Sequence, residues 1–167
     1  MSGRARDKIS SLSETAAKVA LAQERGDRIV FSNGCFDLLH VGHVRNLEAA
    51  RALGDRLVVA VNLDASVRRL KGEDRPIQPA RTRMEVVAAL ACVDWVLGFA
   101  GDTPIRPIRT LRPDILAKGG DWAEGEIIGG DDVLAWGGRV VRLPTFPGER
   151  TSDTIQRIRR RPKKKKR

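Results

Sequence analysis

The chain has 167 residues, of which 41% are hydrophobic, and a formal net charge of +10 at pH 7. This length fits one domain with a hydrophobic core of its own. With only two cysteines, Cys35 and Cys92, the chain cannot form a disulfide framework. The sequence has neither an apolar run of roughly 18 residues for a membrane span nor the apolar start of a signal peptide. We therefore expect a cytoplasmic protein.

The positive charge is concentrated at the C-terminus. Nine of the last eleven residues, 157–167, are Lys or Arg, so the first 156 residues carry a net charge of only +1. Such a run is usually solvated, although it could contact RNA or an acidic membrane. With no Tyr, four Phe and three Trp, the chain also has little material for a base-stacking surface. We therefore expect no nucleic-acid binding except through the tail, and no membrane binding by the domain.

The first half of the chain alternates between helical and extended patterns. Apolar residues at helical spacing predict a first helix that ends at Gly26. RIVF (28–31) predicts a buried strand, 44–54 a second helix, and the β-branched run 56–62 a strand that is covered on both faces. RRLKGEDRP (68–76) lacks a periodic apolar face and is predicted to be a loop that an anionic ligand would order.

The second half continues this alternation. Thr103 is predicted to cap a short helix with Pro104 at its first position. The other predicted elements are a helix at 80–91, strands at 93–99, 114–118 and 139–144, a weak helix or loop at 127–138, and a closing helix at 151–160. Five strands separated by helices imply a parallel sheet with right-handed crossovers, in a Rossmann-like α/β/α fold of three layers.

This organisation divides the chain into three parts. We expect an N-terminal helical extension at 1–27, one domain at 28–160, and a basic, disordered tail at 161–167. In parallel sheets, ligands bind beyond the carboxyl ends of the strands, where neighbouring connections diverge. Several polar or glycine-rich segments directly follow predicted strands, so we expect them at one edge of the sheet: 33–43, Asn62 and Asp64, 118–122, and 147–152.

The segment NGCFDLLHVGH contains both histidines of the chain, His40 and His43. Gly34 would let the backbone approach a ligand, Asp37 precedes the second helix, and Gly42 removes a side chain where bulk would block a phosphate. Unpaired N–H groups and the dipole at a helix N-terminus favour anions. The two imidazoles could then donate hydrogen bonds to charge that develops during phosphoryl chemistry.

Two other interpretations of this pair stay open. Both histidines and Asp37 could bind a transition metal, although the chain has no further histidine and its cysteines lack metal-ligand spacing. The histidines could also be purely structural. A P-loop kinase is disfavoured, because the sequence contains no G-x-x-x-x-G-K-[ST] motif.

Taken together, five segments carry a resemblance to a known family. They are NGCFDLLHVGH, VNLDASVRRLKGEDRPI, RMEVVAALACVDWV, DTPIRPIRTLRPDILAKGGDW and ERTSDTI. Over 28–159, about four fifths of the chain, the sequence resembles the HxGH nucleotidyltransferase superfamily, and most closely the adenylyltransferases of ADP-heptose synthesis. The combination is far more specific than the HxGH element alone.

The resemblance implies a reaction. AMP would pass from ATP to D-glycero-D-manno-heptose 1-phosphate, with release of pyrophosphate and without a covalent enzyme intermediate. It implies Mg²⁺ bound through the ATP phosphates rather than by protein ligands, a possible homodimer, and a separate kinase that supplies the acceptor. Two alternatives are a CTP:glycerol-3-phosphate cytidylyltransferase, and a non-catalytic nucleotide- or RNA-binding protein that uses the tail.

The resemblance also implies the site residues. Its catalytic residues would be His40, His43 and Lys71. Arg150 stands where the family often has a small hydroxyl residue, which leaves the acceptor open, and Thr151 and Ser152 could equally be plain N-caps. The nucleotide-binding residues would be Asn33, Gly34, Cys35, Phe36, Asp37, Gly42, Arg75, Arg83, Lys118, Gly119, Asp121, Arg150, Thr151 and Ser152.

Overall fold

The computed structural model describes residues 4–120, 127–144 and 151–160. Its five strands form one parallel sheet in the order β3-β2-β1-β4-β5. This arrangement confirms the predicted Rossmann-like α/β fold. The strands are β1 (Ile29–Gly34), β2 (Arg56–Asn62), β3 (Trp95–Phe99), β4 (Ile115–Gly119) and β5 (Arg139–Leu143).

Helices cover both faces of this sheet. Successive residues of β1 point to opposite faces, so Val30 packs in one core cluster and Phe31 in the other. The first cluster includes Leu47, and the second includes Val19. After a short 3₁₀ helix (Ala5–Lys8), the helices are α1 (Leu12–Glu24), α2 (Val41–Arg51), α3 (Asp64–Lys71), α4 (Ala80–Ala88), α5 (Ile105–Leu111), α6 (Gly130–Ala135) and α7 (Thr151–Arg160).

Local signals explain the bounds of α1. Ser11 caps the helix: its hydroxyl accepts a hydrogen bond from the Glu14 N–H at 3.2 Å, while the Glu14 carboxylate accepts one from the Ser11 N–H at 2.8 Å. The chain leaves the helix through Gly26, whose φ of +88° favours glycine. Val19 and Ala22 of this helix are buried against the sheet. The N-terminal helix therefore contributes to the core.

Three differences between the predicted and the observed elements concern where helices begin. Helix α2 begins at Val41 rather than at 44. Segment 64–71 is helix α3, although half of it was predicted to be a loop. A polar contact holds this helix against the next segment, because the Ser66 hydroxyl donates to the Gly101 carbonyl at 2.9 Å. Helix α5 begins at Ile105, and Pro104 takes the N-cap position because its carbonyl accepts the first helical hydrogen bond, from Ile108. No helix within the described ranges is both long and apolar enough to cross a bilayer.

Candidate active site

The strand order of the sheet reverses between β1 and β4. These two strands are neighbours, and the connections that follow them lie on opposite faces, because α2 packs in one core cluster and α6 in the other. A crevice at such a switch point is where open α/β sheets bind ligands. The two strand ends are joined here by a hydrogen bond from Lys118 Nζ to Asn33 Oδ1, at 3.0 Å.

Both histidines lie at the N-terminus of α2, the helix that follows β1. His40 is the N-cap residue and His43 is in the first turn. Their rings stack, with centroids 3.8 Å apart and an interplanar angle of 28°. The His40 N–H donates to His43 Nδ1 at 3.4 Å. Because Nδ1 accepts this hydrogen bond, the neutral His43 ring carries its proton on Nε2, which is then a donor.

Burial and the neighbouring imidazole lower the pKa of His43. Burial is the larger cause and His40 the smaller, and together they lower the pKa from 6.5 to about 4. His43 is therefore neutral at pH 7 in the free protein. A polyanion beside the ring would favour its protonated form.

This depressed pKa predicts an acid-sensitive stability. Between about pH 6.5 and 4, the unfolded state binds a proton at position 43 that the folded state does not, so stability falls as the pH falls through this window. We expect the wild type to lose about 2 kcal/mol more than a His43→Asn variant between pH 7 and 4.5. Urea unfolding of both proteins at the two pH values measures the difference. Equal losses would contradict the assignment.

Four cationic side chains converge on Cys35, which follows β1. Burial raises the pKa of its thiol, and Lys71, Arg83, Arg75 and Lys118 each act in the opposite direction. Burial also lowers the pKa of Lys118, and Lys71 lowers it further, so these two ammonium groups lie close enough to repel each other. The cations come from α3, from α4, from the segment between these helices and from β4. The fold therefore gathers positive charge around Cys35, in the loop that leads from β1 to the histidine helix, where it favours a polyanion.

Asp37 anchors the first loop to segment 75–78. Its carboxylate is 1% exposed and accepts hydrogen bonds from Arg75 Nε at 2.7 Å, from the Ile77 N–H at 2.8 Å and from the Gln78 N–H at 3.0 Å. Burial alone would raise the pKa of Asp37, but these hydrogen bonds outweigh burial and lower it. We predicted that Asp37 contacts the nucleotide; the structure places its carboxylate against segment 75–78.

Arg83 supports the same loop from inside the protein. Its side chain is fully buried, and its guanidinium donates to the Gln78 carbonyl at 2.9 Å, to the Cys35 carbonyl, and to Asp64 Oδ1 at 2.7 Å. Arg83 was also predicted to bind nucleotide. Its described contacts hold the backbone at Cys35, and nucleotide binding by Arg83 stays a prediction.

The loop between β1 and α2 contains two non-glycine residues with left-handed backbone, Phe36 (φ 48°) and Leu38 (φ 54°). Such conformations cost about 1–3 kcal/mol each and collect at functional sites. The Phe36 ring lies beside Gly34, where a Cβ atom would be 3.1 Å from it, and 5.4 Å from the His43 ring, centroid to centroid. The missing side chain of Gly34 thus makes room for Phe36, a reason that the sequence did not reveal.

The remaining predicted site residues divide into three groups. Thr151 is at the loop, because its hydroxyl donates to the Asp37 carbonyl at 2.8 Å. Thr151 and Ser152 are the first residues of α7 rather than caps before it. Gly42 is buried in α2, and Gly119 ends β4. Asp121 and Arg150 lie outside the described residues, as does the tail at 161–167.

One residue that the sequence analysis did not single out borders the site. Asn46 lies on α2, one turn after His43, and its side chain packs against Gly119. Its spacing from His43 on a predicted helix was the available signal. Among the residues that the structure describes, no three His, Cys, Asp or Glu side chains cluster as a metal site would require. The fold and the site together define a class of protein: a Rossmann-like α/β domain with a cation-lined crevice at the switch point of its parallel sheet.

The chain belongs to the cytidylyltransferase-like family, whose model matches residues 31–154. It is 58% identical over 144 residues to bifunctional protein HldE of Alkalilimnicola ehrlichii, a match that covers 86% of this chain and 30% of that protein. It is 51% identical over 161 residues to bifunctional protein HldE of Proteus mirabilis, covering 95% of this chain and 34% of that protein. The chain thus spans about a third of the length of these relatives.

A solved structure agrees with this assignment. The lipopolysaccharide core biosynthesis protein from Thermoplasma volcanium superimposes with a TM-score of 0.63 and 29% sequence identity. The superposition covers 72% of this chain and 99% of that one. The shared architecture therefore includes nearly the whole of the smaller protein.

Proposed function

We propose that the chain transfers AMP from ATP to D-glycero-D-manno-heptose 1-phosphate, giving an ADP-sugar and pyrophosphate. The observation that carries this proposal is the stacked pair His40 and His43 at the start of α2, directly after the loop in which Lys71 and Lys118 act on Cys35. The resemblance to the adenylyltransferases of ADP-heptose synthesis and the similarity to the HldE proteins support the choice of substrates.

The proposed reaction is a single in-line displacement. An oxygen of the acceptor's phosphate attacks the α-phosphorus of ATP; the new P–O bond forms as the bond to the β-phosphate oxygen breaks, and that electron pair leaves with pyrophosphate. The attacking phosphate oxygen is already ionised, so the step needs no general base. Catalysis then depends on alignment and on stabilising the charge that builds on the α-phosphate.

The chain's own residues can supply that stabilisation. His43 Nε2–H and His40 would donate to the α-phosphate region, and Lys71 and the Nη groups of Arg75 would bind the outer phosphates. Lys118 would neutralise charge from the β4 side. Thr151 and Ser152 are the first residues of α7, and the backbone N–H groups and the dipole at this helix start would favour contact with the triphosphate.

Other residues would act through these groups. Asp37 and Arg83 would position segment 75–78 and the backbone at Cys35. Asn33 would position Lys118, and Phe36 would pack behind His43. Asp121 and Arg150 keep their predicted nucleotide-binding roles as proposals from the resemblance. Mg²⁺ would enter on the phosphates of ATP and neutralise the departing pyrophosphate, since it prefers phosphate oxygens and water to an all-protein cage.

The acceptor has to be made by another active centre. The relatives are named bifunctional and are about three times as long as this chain. We infer that the activity outside the matching region is the kinase that phosphorylates the sugar. The resemblance also leads us to propose a homodimer, and the use of ATP together with two unpaired cysteines favours the cytoplasm.

A substrate screen tests the proposed function. Pyrophosphate release is measured with ATP, CTP, GTP and UTP, each paired with heptose 1-phosphate, glycerol 3-phosphate and another sugar 1-phosphate. We expect the fastest release with ATP and heptose 1-phosphate. The family's name makes CTP with glycerol 3-phosphate the principal rival, and fastest release with that pair would overturn the proposal. No release with any pair, together with salt-sensitive RNA binding that is lost on deleting 162–167, would favour a binding protein.

A further inference from the structure

The side chain of Asn46 lies at the edge of the proposed active site. It is on α2, three residues after His43, and so on the same side of the helix. A Cβ atom at Gly119 would lie 2.6 Å from Asn46 Nδ2 and 3.9 Å from its Oδ1. Gly119 directly follows Lys118, whose ammonium group joins β4 to β1. The carboxamide therefore sits between the histidine helix and the strand that carries the buried lysine.

The Oδ1 atom of Asn46 is buried and accepts no hydrogen bond from the residues that the structure describes. The other asparagines at this edge of the sheet have side-chain partners: Asn33 Oδ1 accepts from Lys118, and Asn62 Nδ2 donates to the Ser66 hydroxyl at 3.0 Å. Buried polar atoms in folded proteins nearly always have a partner, and an exception calls for a specific explanation, such as a bound group.

Packing alone does not explain an asparagine at this position. Asparagine is an unfavourable residue in the middle of a helix, because its side chain competes for backbone hydrogen bonds. An apolar side chain of similar size would fill the same space between α2 and β4 without burying an acceptor. The polar atom costs stability in the free protein, which is reasonable if a ligand supplies the missing donor.

The chemistry of an amide oxygen limits what that ligand group is. An amide oxygen only accepts hydrogen bonds, so it repels ionised phosphate oxygens, which are acceptors as well. In the proposed reaction the phosphates would have Lys71, Arg75 and Lys118, the cations near Cys35, as partners. The donors closest to a transferred phosphate are sugar hydroxyls, on the ribose of the nucleotide or on the acceptor sugar. Asn46 is about 5 Å, one helical turn, from His43, which fits a sugar directly attached to phosphate.

We propose that Asn46 Oδ1 accepts a hydrogen bond from a sugar hydroxyl of a bound substrate, and that Asn46 is a specificity-determining residue of this site. The inference rests on the proposed function, because the proposed function supplies the class of substrate. The hydroxyl belongs either to the ribose or to the acceptor, and the two sources are separated by experiment.

The test combines a substitution with substrates that lack one hydroxyl. Asn46→Leu removes the acceptor and keeps the branched shape of the side chain, and Asn46→Ala is a second variant in case the first does not fold, as judged by circular dichroism. Glu48→Ala, at an exposed position on the same helix, is the matched control. For each protein, kcat/KM is measured with ATP, 2′-deoxy-ATP and 3′-deoxy-ATP, and with heptose 1-phosphate and its monodeoxy analogues.

For the wild type and Glu48→Ala, we expect kcat/KM to be about tenfold lower with one deoxy substrate than with the complete substrate. For Asn46→Leu, we expect kcat/KM with the complete substrate to be about tenfold below the wild-type value, with no further loss on the deoxy substrate. A ribose analogue or an acceptor analogue that shows this pattern identifies the source. The proposal is overturned if the variant discriminates between complete and deoxy substrates as the wild type does, even when its activity falls.

The failure of the proposed function has a different signature. If the wild type forms no ADP-heptose, the proposed function fails, and calorimetric binding of the same substrates and deoxy analogues to the same proteins then decides the role of Asn46. Equal loss of affinity for complete and deoxy compounds in Asn46→Leu would end the inference.

Discussion

Replacing His43 with alanine is expected to lower kcat for ADP-sugar formation by about a hundred- to a thousandfold. The ring is held by His40 and Phe36 with its Nε2–H available as a donor, so its loss removes one preorganised hydrogen bond to the charge that develops on the α-phosphate. An interaction formed mainly in the transition state should change kcat more than KM for ATP. Steady-state kinetics with both substrates measure this split.

Two controls make this result specific. Circular dichroism and urea unfolding show whether His43→Ala is folded. His43→Asn keeps a side-chain donor near the same place and should retain more activity than the alanine variant. A folded His43→Ala enzyme that forms nucleotide sugar at the wild-type rate would mean that the imidazole is structural.

Replacing Asp37 with alanine is expected to destabilise the protein by about 3–5 kcal/mol. The carboxylate is buried in an ion pair with Arg75, and its removal leaves that guanidinium and the N–H groups of Ile77 and Gln78 without their acceptor. The loss should also release segment 75–78 from the first loop and weaken ATP binding. Urea unfolding and calorimetric titration with ATP measure the two effects.

The matched control is an ion pair at the surface. Arg6 and Glu85 are 2.8 Å apart, with side chains 70% and 37% exposed. Exposed pairs contribute little, so Glu85→Ala should change stability by less than about 1 kcal/mol and leave ATP binding unchanged. If Asp37→Ala costs no more than Glu85→Ala, the buried carboxylate is not the anchor that its contacts indicate.

Sequence patterns predicted the sheet because each strand carries its own signal. The β-branched run Arg56–Asn62 is a strand with the predicted bounds, since burial on both faces demands apolar residues throughout. Helix α1 followed from its cap and from Gly26. The order of the strands then brought His40 and Lys118 to one edge, because parallel strands end on the same side.

Other features depend on contacts between distant segments and leave no local pattern. Helix α3 was missed because tertiary hydrogen bonds of Ser66 hold it, while its Leu70 is 47% exposed. The supporting roles of Asp37 and Arg83 require segment 75–83 to fold against the first loop, which periodicity does not reveal. In the sequence, Asn46 is one polar residue of a helix, and only the structure shows that its side chain packs against Gly119.

The fate of the ATP phosphates is the most direct test of the central claim. The wild-type chain is incubated with heptose 1-phosphate and ATP that is radiolabelled either at the α-phosphate or at the γ-phosphate, and the products are separated by chromatography. We predict that the α-label enters the nucleotide sugar and that the γ-label leaves in pyrophosphate. A γ-label in the sugar product, or an α-label that never reaches the sugar, would contradict a transfer of AMP at this site.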